Sequence, residues 1–298
     1  MALRRRAPYF GYRAASVVAN AMPGAVATAL ARVLGLVMSV AMPGRRRMIT
    51  RHLGRVYGPR AGPVTLALKV QGAFDSYARY WLESFRLATT TAAQLDASMS
   101  YEGLELIEDA LAEGKGVIAA LPHLGGWDFG GAWLTSQGYQ LTVVVEDLQP
   151  PELFDWFARL RAGFGLTIVR HGREAGGVVA RALRANQIVC LLSDRDLTRD
   201  GVEVTFFGER TTLPAGPATL ALRTGAALIP MALYYRKSGH YGVVRPPIPT
   251  AREGSVRDDV TRITQLLAYE LEALIRRAPE QWHLFQPNWP SDAPNLRQ

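Results

Sequence analysis

From about residue 102 onward, short apolar runs alternate with amphipathic stretches of ten to fifteen residues. YEGLELIEDALAEGKG reads as a helix ending near Gly114, and VIAALP as a short buried strand. The series continues with WDFGGAWLTSQG (helix), LTVVVE (strand), ELFDWFARLRAGFG (helix), LTIVR (strand), GGVVARALRAN (helix) and QIVCLLSD (strand). AGPATLALRTG then predicts a helix, ALIPMALYY a strand, and residues 256–277 a long helix with Val260, Ile263, Leu267, Leu271, Leu274 and Ile275 on one face. Strands alternating with helices predict an α/β fold whose central, mostly parallel sheet is flanked by helices. In such sheets, sites form at the carboxyl ends of strands. His123, Glu146, Arg170 and Asp194 each fall at or just past such an end. Upstream, residues 64–87 carry apolar positions at helical spacing, with Tyr77, Tyr80, Trp81 and Phe85 read as core.

The first sixty residues follow another pattern. RRR at 4–6 and RRR at 45–47 flank the apolar stretch AMPGAVATALARVLGLVMSVAM, residues 21–42. Arg32 interrupts it, and a central arginine costs roughly 2.5–3.5 kcal/mol on membrane insertion. Pro23 and Gly35 weaken it further, and it lacks the small-residue cleavage pattern of a signal peptide. The expectation is a helix lying on, or dipping into, the cytoplasmic leaflet. The other reading is an apolar helix packed on the core with its arginines solvated. Residues 1–60 are thus expected to be a membrane-associated basic helical arm, and 61–298 the α/β domain.

Charge sharpens that picture. Residues 1–74 contain eleven arginines and Lys69 but no acid, whereas the whole chain is only +8, so the remainder is net acidic. Such a segment is drawn to an anionic partner. No nucleic-acid module or basic–aromatic interleaving is present, so an anionic membrane surface is expected and nucleic acid is not. The 48% apolar fraction suits a folded core over 298 residues. The single cysteine, Cys190, lies in the run IVCLL and reads as a small hydrophobe; it has no disulfide partner within the chain.

The chain has no G-x-S-x-G elbow, no P-loop and no G-x-G-x-x-G after a strand. Its five histidines show no paired-ligand spacing, and no metal or other cofactor is expected. What stands out is HLGGWD, residues 123–128. A histidine at a strand end, with Asp128 about a turn into the next helix, can form a dyad. The carboxylate would fix the imidazole tautomer and leave the other nitrogen as a base for a hydroxyl. With no serine or cysteine nucleophile beside it, the hydroxyl would be the substrate's, attacking an acyl thioester. The backbone N–H groups of Gly125 and Gly126 could approach an oxyanion or a phosphate. On spacing alone, an isolated H-x4-D is better read as a hydrogen-bonded surface pair.

HLGGWD resembles the H-x4-D motif of the lysophospholipid acyltransferase superfamily, in its bacterial lipid A and phosphatidylinositol mannoside branch. LLSDRDLTRDGVEVTFFGERTTLPAGPATLALRTGAALIP, residues 191–230, resembles a second block of that branch. PEQWHLFQPNWP, 279–290, is similar to its C-terminal tryptophan-bearing signature, and SYARYWLESFRL, 76–87, to its early aromatic helix. Within that branch the chain resembles the phosphatidylinositol mannoside acyltransferases of actinobacteria. The resemblance implies transfer of an acyl group, typically palmitoyl, from acyl-CoA to a mannose hydroxyl at the cytoplasmic face of the plasma membrane, by a peripheral or monotopic protein. It implies His123 as base and Asp128 as its orienting partner. It places Asp194 and Arg195 near the acceptor headgroup or the histidine, and Glu146 and Arg161 in the acceptor pocket. Two departures stand out: Leu124, Gly125 and Gly126 replace the family's usual Ser-Gly-Asn, and Asp194 replaces a glutamate. Another glycolipid or a lysophospholipid is the alternative acceptor; a hydrolase and a catalytically idle membrane-binding module are the readings from other classes.

Overall fold

The computed structural model describes residues 2–146, 149–196 and 200–292, with the side chains of 2–5, 7, 25 and 60 excepted. Leu197, Thr198 and Arg199 of the second motif block therefore lie outside the described residues, as do the side chains of Arg4 and Arg5.

Three helices lead: α1 (Ala2–Ala21), α2 (Gly24–Ala41) and α3 (Pro43–Tyr57). Proline sets both breaks. Pro23 caps α2 and Pro43 opens α3, where a missing N–H costs nothing. Of the apolar stretch 21–42, residues 24–41 form one 18-residue helix, and the chain turns by 101° into α3. Among the described residues no single helix is long and apolar enough to cross a membrane. One face of these helices packs on α4 (Pro63–Arg86): Ala19 and Ala31 join Ala78, Leu82 and Phe85, while Ile49 and Leu53 join Val70, Ala73 and Phe74. The opposite face is open.

After α4, a short α5 (Ala92–Ala97) leads to β1 (Met99–Glu102) and α6 (Glu105–Ala112). The predicted alternation follows: β2 (Val117–Leu121), α7 (Trp127–Ser136), β3 (Leu141–Val145), α8 (Pro151–Ala162), β4 (Thr167–Arg170), α9 (Ala175–Arg184) and β5 (Ile188–Leu192). A hairpin comes next, β6 (Val202–Phe206) and β7 (Glu209–Leu213), then α10 (Gly216–Thr224), β8 (Ala227–Tyr235), β9 (His240–Val244) and α11 (Val256–Arg277). The main sheet has seven strands in the order β1-β9-β8-β2-β5-β3-β4, and only the β8–β9 pair is antiparallel. The α/β class with a mostly parallel central sheet is therefore what the chain folds into.

The strands β2 and β5 sit at the centre and are apolar on both faces, which is why they read as unbroken apolar runs. Alternate residues of β2 feed opposite cores: Val117 and Ala119 face α6 and α7, and Ile118 and Ala120 face α9, α10 and α11. The helix α11 begins where Ser255 accepts from the Asp258 N–H, with Asp258 and Asp259 in its first turn and Arg276 and Arg277 in its last. Its six expected core positions are all buried.

The pattern misses β1, β9 and the β6–β7 hairpin. The hairpin turns at Phe207–Gly208, both at positive φ, and a phenylalanine in the first place is not a turn signal. The edge strand β1 has only four residues, and β9, paired between β1 and β8, reads HYGVV, with polar and glycine positions in place of an apolar run.

Gly35, which weakens α2 as an isolated helix, is where α2 crosses α4. A Cβ there would lie 2.7 Å from the Asp75 Cα and 2.8 Å from its backbone nitrogen. Gly35→Ala should destabilise the protein by about 1–3 kcal/mol through overpacking, although the same change in an open helix gains about 1 kcal/mol. Thermal unfolding checks the sign; a raised Tm would mean that the crossing is not tight.

Candidate functional site

The site is built by register. Leu121 of β2 pairs with Leu192 of β5, so His123 and Asp194, each two residues further on, stand side by side past the strand ends. The His123 Nδ1 lies 2.6 Å from Asp194 Oδ1. A carboxylate only accepts, so this nitrogen carries the proton and Nε2 is left as an acceptor. The His123 ring is 20% exposed, toward a cavity, while Asp194 is fully buried.

Asp194 is held on all sides. Its Oδ2 accepts from the His123 backbone N–H at 3.1 Å and from the Trp282 indole N–H at 2.7 Å. Burial alone would raise this carboxyl; the adjacent His123 and the hydrogen bonds from His123 and Trp282 outweigh it and hold the group below its ordinary value. It remains ionised wherever a neutral imidazole can serve as a base.

This geometry corrects one expectation. The carboxylate against the His123 ring belongs to Asp194, not Asp128. Asp128 opens α7, where its side chain meets α4 and α8. It takes both a 3.0 Å bond from Arg161 Nε and a 3.0 Å bond from Arg161 Nη2, with Tyr80 Oη at 2.9 Å and Ser84 Oγ at 3.2 Å. Four donors fill its acceptor positions, and none is from His123. Burial would lower the Arg161 guanidinium, but Asp128 outweighs it and raises it further. The pair ties α4, α7 and α8 together in the cavity wall.

Gly125 departs from expectation too. Its N–H donates to the Gln281 carbonyl at 2.9 Å and is not free for an oxyanion. The residue must be glycine: φ is +61°, and a Cβ would fall onto the Leu233 carbonyl oxygen.

Glu146 and Arg195 form an ion pair of 2.9 Å at the cavity rim, Glu146 half exposed and Arg195 largely covered. The strand ends point to Glu146; Arg195, which it meets, is singled out by the family resemblance alone. Arg170 instead pairs outward, over the Phe154 ring and toward Asp155 at 3.4 Å. Cys190 lines the cavity, and burial pushes its thiol up to about 12, which makes it a poor nucleophile.

The cavity holds about 830 Å³. It passes from His123 and Trp127 along the α7 face of the sheet, past Leu121, Gly130 and Leu233, to Met99 and Tyr101 on the edge strand. The register accounts for this path: Leu233 pairs with Gly242, and Gly242 with Tyr101. Tyr77 and Trp81, expected in the core, are half-buried and line its mouth with Tyr80. Among the described residues no cluster suited to a metal ion occurs.

Residue-level reading does not reach His283 or Trp282; only the C-terminal signature pointed to that segment. His283 is buried, bonded through Nε2 to Ser76 Oγ at 2.8 Å, and donates its backbone N–H to the His123 carbonyl at 2.7 Å.

The model of the bacterial lipid A biosynthesis acyltransferase family matches residues 3–291. A phosphatidylinositol mannoside acyltransferase of Mycolicibacterium smegmatis is 38% identical over 291 residues, covering 96% of this chain and 93% of that protein. A protein of the same name from Mycobacterium tuberculosis is 39% identical over 263 residues, 85% of this chain and 80% of its own length. A lipid A biosynthesis acyltransferase of Haemophilus influenzae is 31% identical over 203 residues, 66% of this chain and 60% of that protein.

Burial, and then the adjacent His123, push the His283 imidazole down to about 3. The unfolded chain, with histidine near 6.5, binds this proton first, so stability should fall as pH drops from about 6.5 toward 3. His283→Asn should flatten the decline of Tm between about pH 6.5 and pH 4; parallel slopes in the two proteins would contradict it.

Proposed function

The chain belongs to the bacterial lipid A biosynthesis acyltransferase family, and on that premise we propose that it moves a long-chain acyl group, palmitoyl, from acyl-CoA to a mannose hydroxyl of phosphatidylinositol mannoside. The observation that carries this reading is the His123–Asp194 pair, with its free Nε2 at the head of a long apolar cavity.

The mannose hydroxyl gives its proton to His123 Nε2 as its oxygen attacks the thioester carbonyl carbon. The imidazolium is stabilised by Asp194, whose Oδ1 already holds the Nδ1–H. When the tetrahedral adduct collapses, the C–S bond breaks and His123 returns the proton to the departing CoA sulfur. The acyl chain lies in the cavity. Strands are about 4.8 Å apart, so the path from β2 across to β1 covers on the order of 14 Å. Each buried methylene contributes about 0.8 kcal/mol, which favours a long chain. The rim pair Glu146–Arg195 and Arg161 in the cavity wall are the polar groups offered to the acceptor headgroup.

A lipid acceptor has to be met at a bilayer. Val33, Leu36, Val37 and Val40 form one exposed apolar stripe on α2, and Val17 on α1 and Leu68 on α4 are exposed as well. The cations Arg13, Arg32, Arg45, Arg47 and Arg51 are exposed on α1, α2 and α3. This combination suits peripheral or monotopic attachment to the anionic cytoplasmic face of the plasma membrane.

Labelled palmitoyl-CoA offered with phosphatidylinositol mannosides and lysophospholipids together should label the mannoside, and His123→Ala should lose essentially all transfer while keeping its circular dichroism. Label on the lysophospholipid would overturn the acceptor, and equal label release by both proteins would overturn the chemistry. The double substitution Leu36→Asp with Val40→Asp should cut binding to anionic vesicles about ten-fold or more in a sedimentation assay. Undiminished binding would remove the helical stripe as the membrane contact.

A further inference from the structure

The chain beyond α11 makes more contacts with the site than its length suggests. Trp282 forms an antiparallel bridge with Leu124, and the Gly125 N–H and His123 carbonyl bond to Gln281 and His283 on either side. The backbone of the base is thus gripped by residues 281–283. The Trp282 indole, 2% exposed, sends its N–H to Asp194 Oδ2 at 2.7 Å. Its ring lies among Phe206, Phe207 and His52, with centroids at 6.2, 5.6 and 5.8 Å. Asn288 Nδ2 reaches the Asp194 carbonyl at 3.2 Å, so the strap holds both the side chain and the backbone of Asp194.

The far end of the strap is fastened as firmly. Asp292 Oδ2 accepts from the Asn288 and Trp289 N–H groups, both at 3.1 Å, and meets His52 Nε2 at 3.0 Å. Its Oδ1 accepts from Arg55 at 2.8 Å. His52 Nδ1 faces the Leu284 carbonyl at 2.9 Å. His52 and Arg55 both belong to α3, so the strap runs from the third N-terminal helix to the catalytic carboxylate.

We propose that Trp282 is a positioning residue for acyl transfer: its indole N–H sets the orientation in which Asp194 holds His123, and the strap 282–292, clasped to α3 through Asp292, keeps the indole there. A lone carboxylate can rotate about its last bond and swing away from the imidazole. Three donors on Asp194 prevent this: two come from His123 itself, and Trp282 supplies the only one of the three that is independent of the group being positioned. The inference rests on His123 acting as the base.

The full-length protein is compared with Trp282→Phe and with a variant carrying benzothienylalanine at 282, which keeps the bicyclic shape and lacks the N–H. Both should lower kcat about ten-fold or more with KM for palmitoyl-CoA nearly unchanged. In an Asp194→Asn background the same changes should add almost nothing, because Trp282 acts through that carboxylate. Full additivity of the losses, or a shape-preserving variant with wild-type kcat, would overturn the proposal. A second readout needs no substrate. With nitrogen-labelled histidine, the His123 Nδ1 proton resonance of the wild-type protein should weaken or shift in the benzothienylalanine variant. An unchanged resonance would overturn the proposal even if palmitoyl-CoA proved not to be the donor. Loss of transfer in His123→Ala together with normal transfer in both Trp282 variants would leave the function standing and remove the inference alone.

Discussion

A fully buried carboxylate at Asp194 is the constraint around which the site is arranged. A charge taken out of water is costly unless it is hydrogen-bonded and paired. Here the compensation comes from His123, through both backbone and ring, and from Trp282. These groups are separated widely along the chain, so the carboxylate is stable only when β2, β5 and the C-terminal strap are all in place. The same interactions that make it tolerable also orient the imidazole.

Two further buried acids are handled in the same way. Asp128 is matched by Arg161, Tyr80 and Ser84, which binds α7 to α4 and α8. Asp292 is matched by His52, Arg55 and two backbone N–H groups, which binds the strap to α3. Burial would raise the Asp292 carboxyl, but the hydrogen bonds from His52, Asn288, Arg55 and Trp289 hold it far below its ordinary value. Each acid joins segments distant in sequence at a place where apolar packing alone would be tolerant of sliding. Apolar contacts supply the bulk of cohesion without direction, and these three carboxylates add the direction.

The helices α1 to α3 serve both the interior and the surface. Their small residues, Ala19 and Ala31, allow close approach to α4, and Gly35 marks the crossing. On α1 and α2 several larger apolar residues, among them Val17, Val33, Leu36, Val37 and Val40, stay exposed, whereas Ile49 and Leu53 of α3 are buried. An amphipathic helix normally leaves its polar face outward. Here the outward face of α1 and α2 is itself apolar and flanked by exposed arginines, the face proposed above for attachment.

Much of this was legible beforehand, for identifiable reasons. The run of alternating strands and helices from residue 102 follows from local periodicity, as does the buried face of α11. Strand ends are strong points of reference, so His123, Glu146 and Asp194 could be named as neighbours of a site. The choice of His123's partner could not be read off in this way. HLGGWD offers Asp128 five residues away, and local spacing favours it. Asp194 is 71 residues away and becomes adjacent only through the parallel pairing of β2 with β5. Trp282 and His283 lie further still, on a part of the strap that is neither helix nor extended strand and hence has no period. Composition and periodicity therefore determined the fold class and the region of the chemistry. Sheet register and the solvation of one buried charge decided which carboxylate serves the histidine, because both depend on contacts that exist only once the strands have paired.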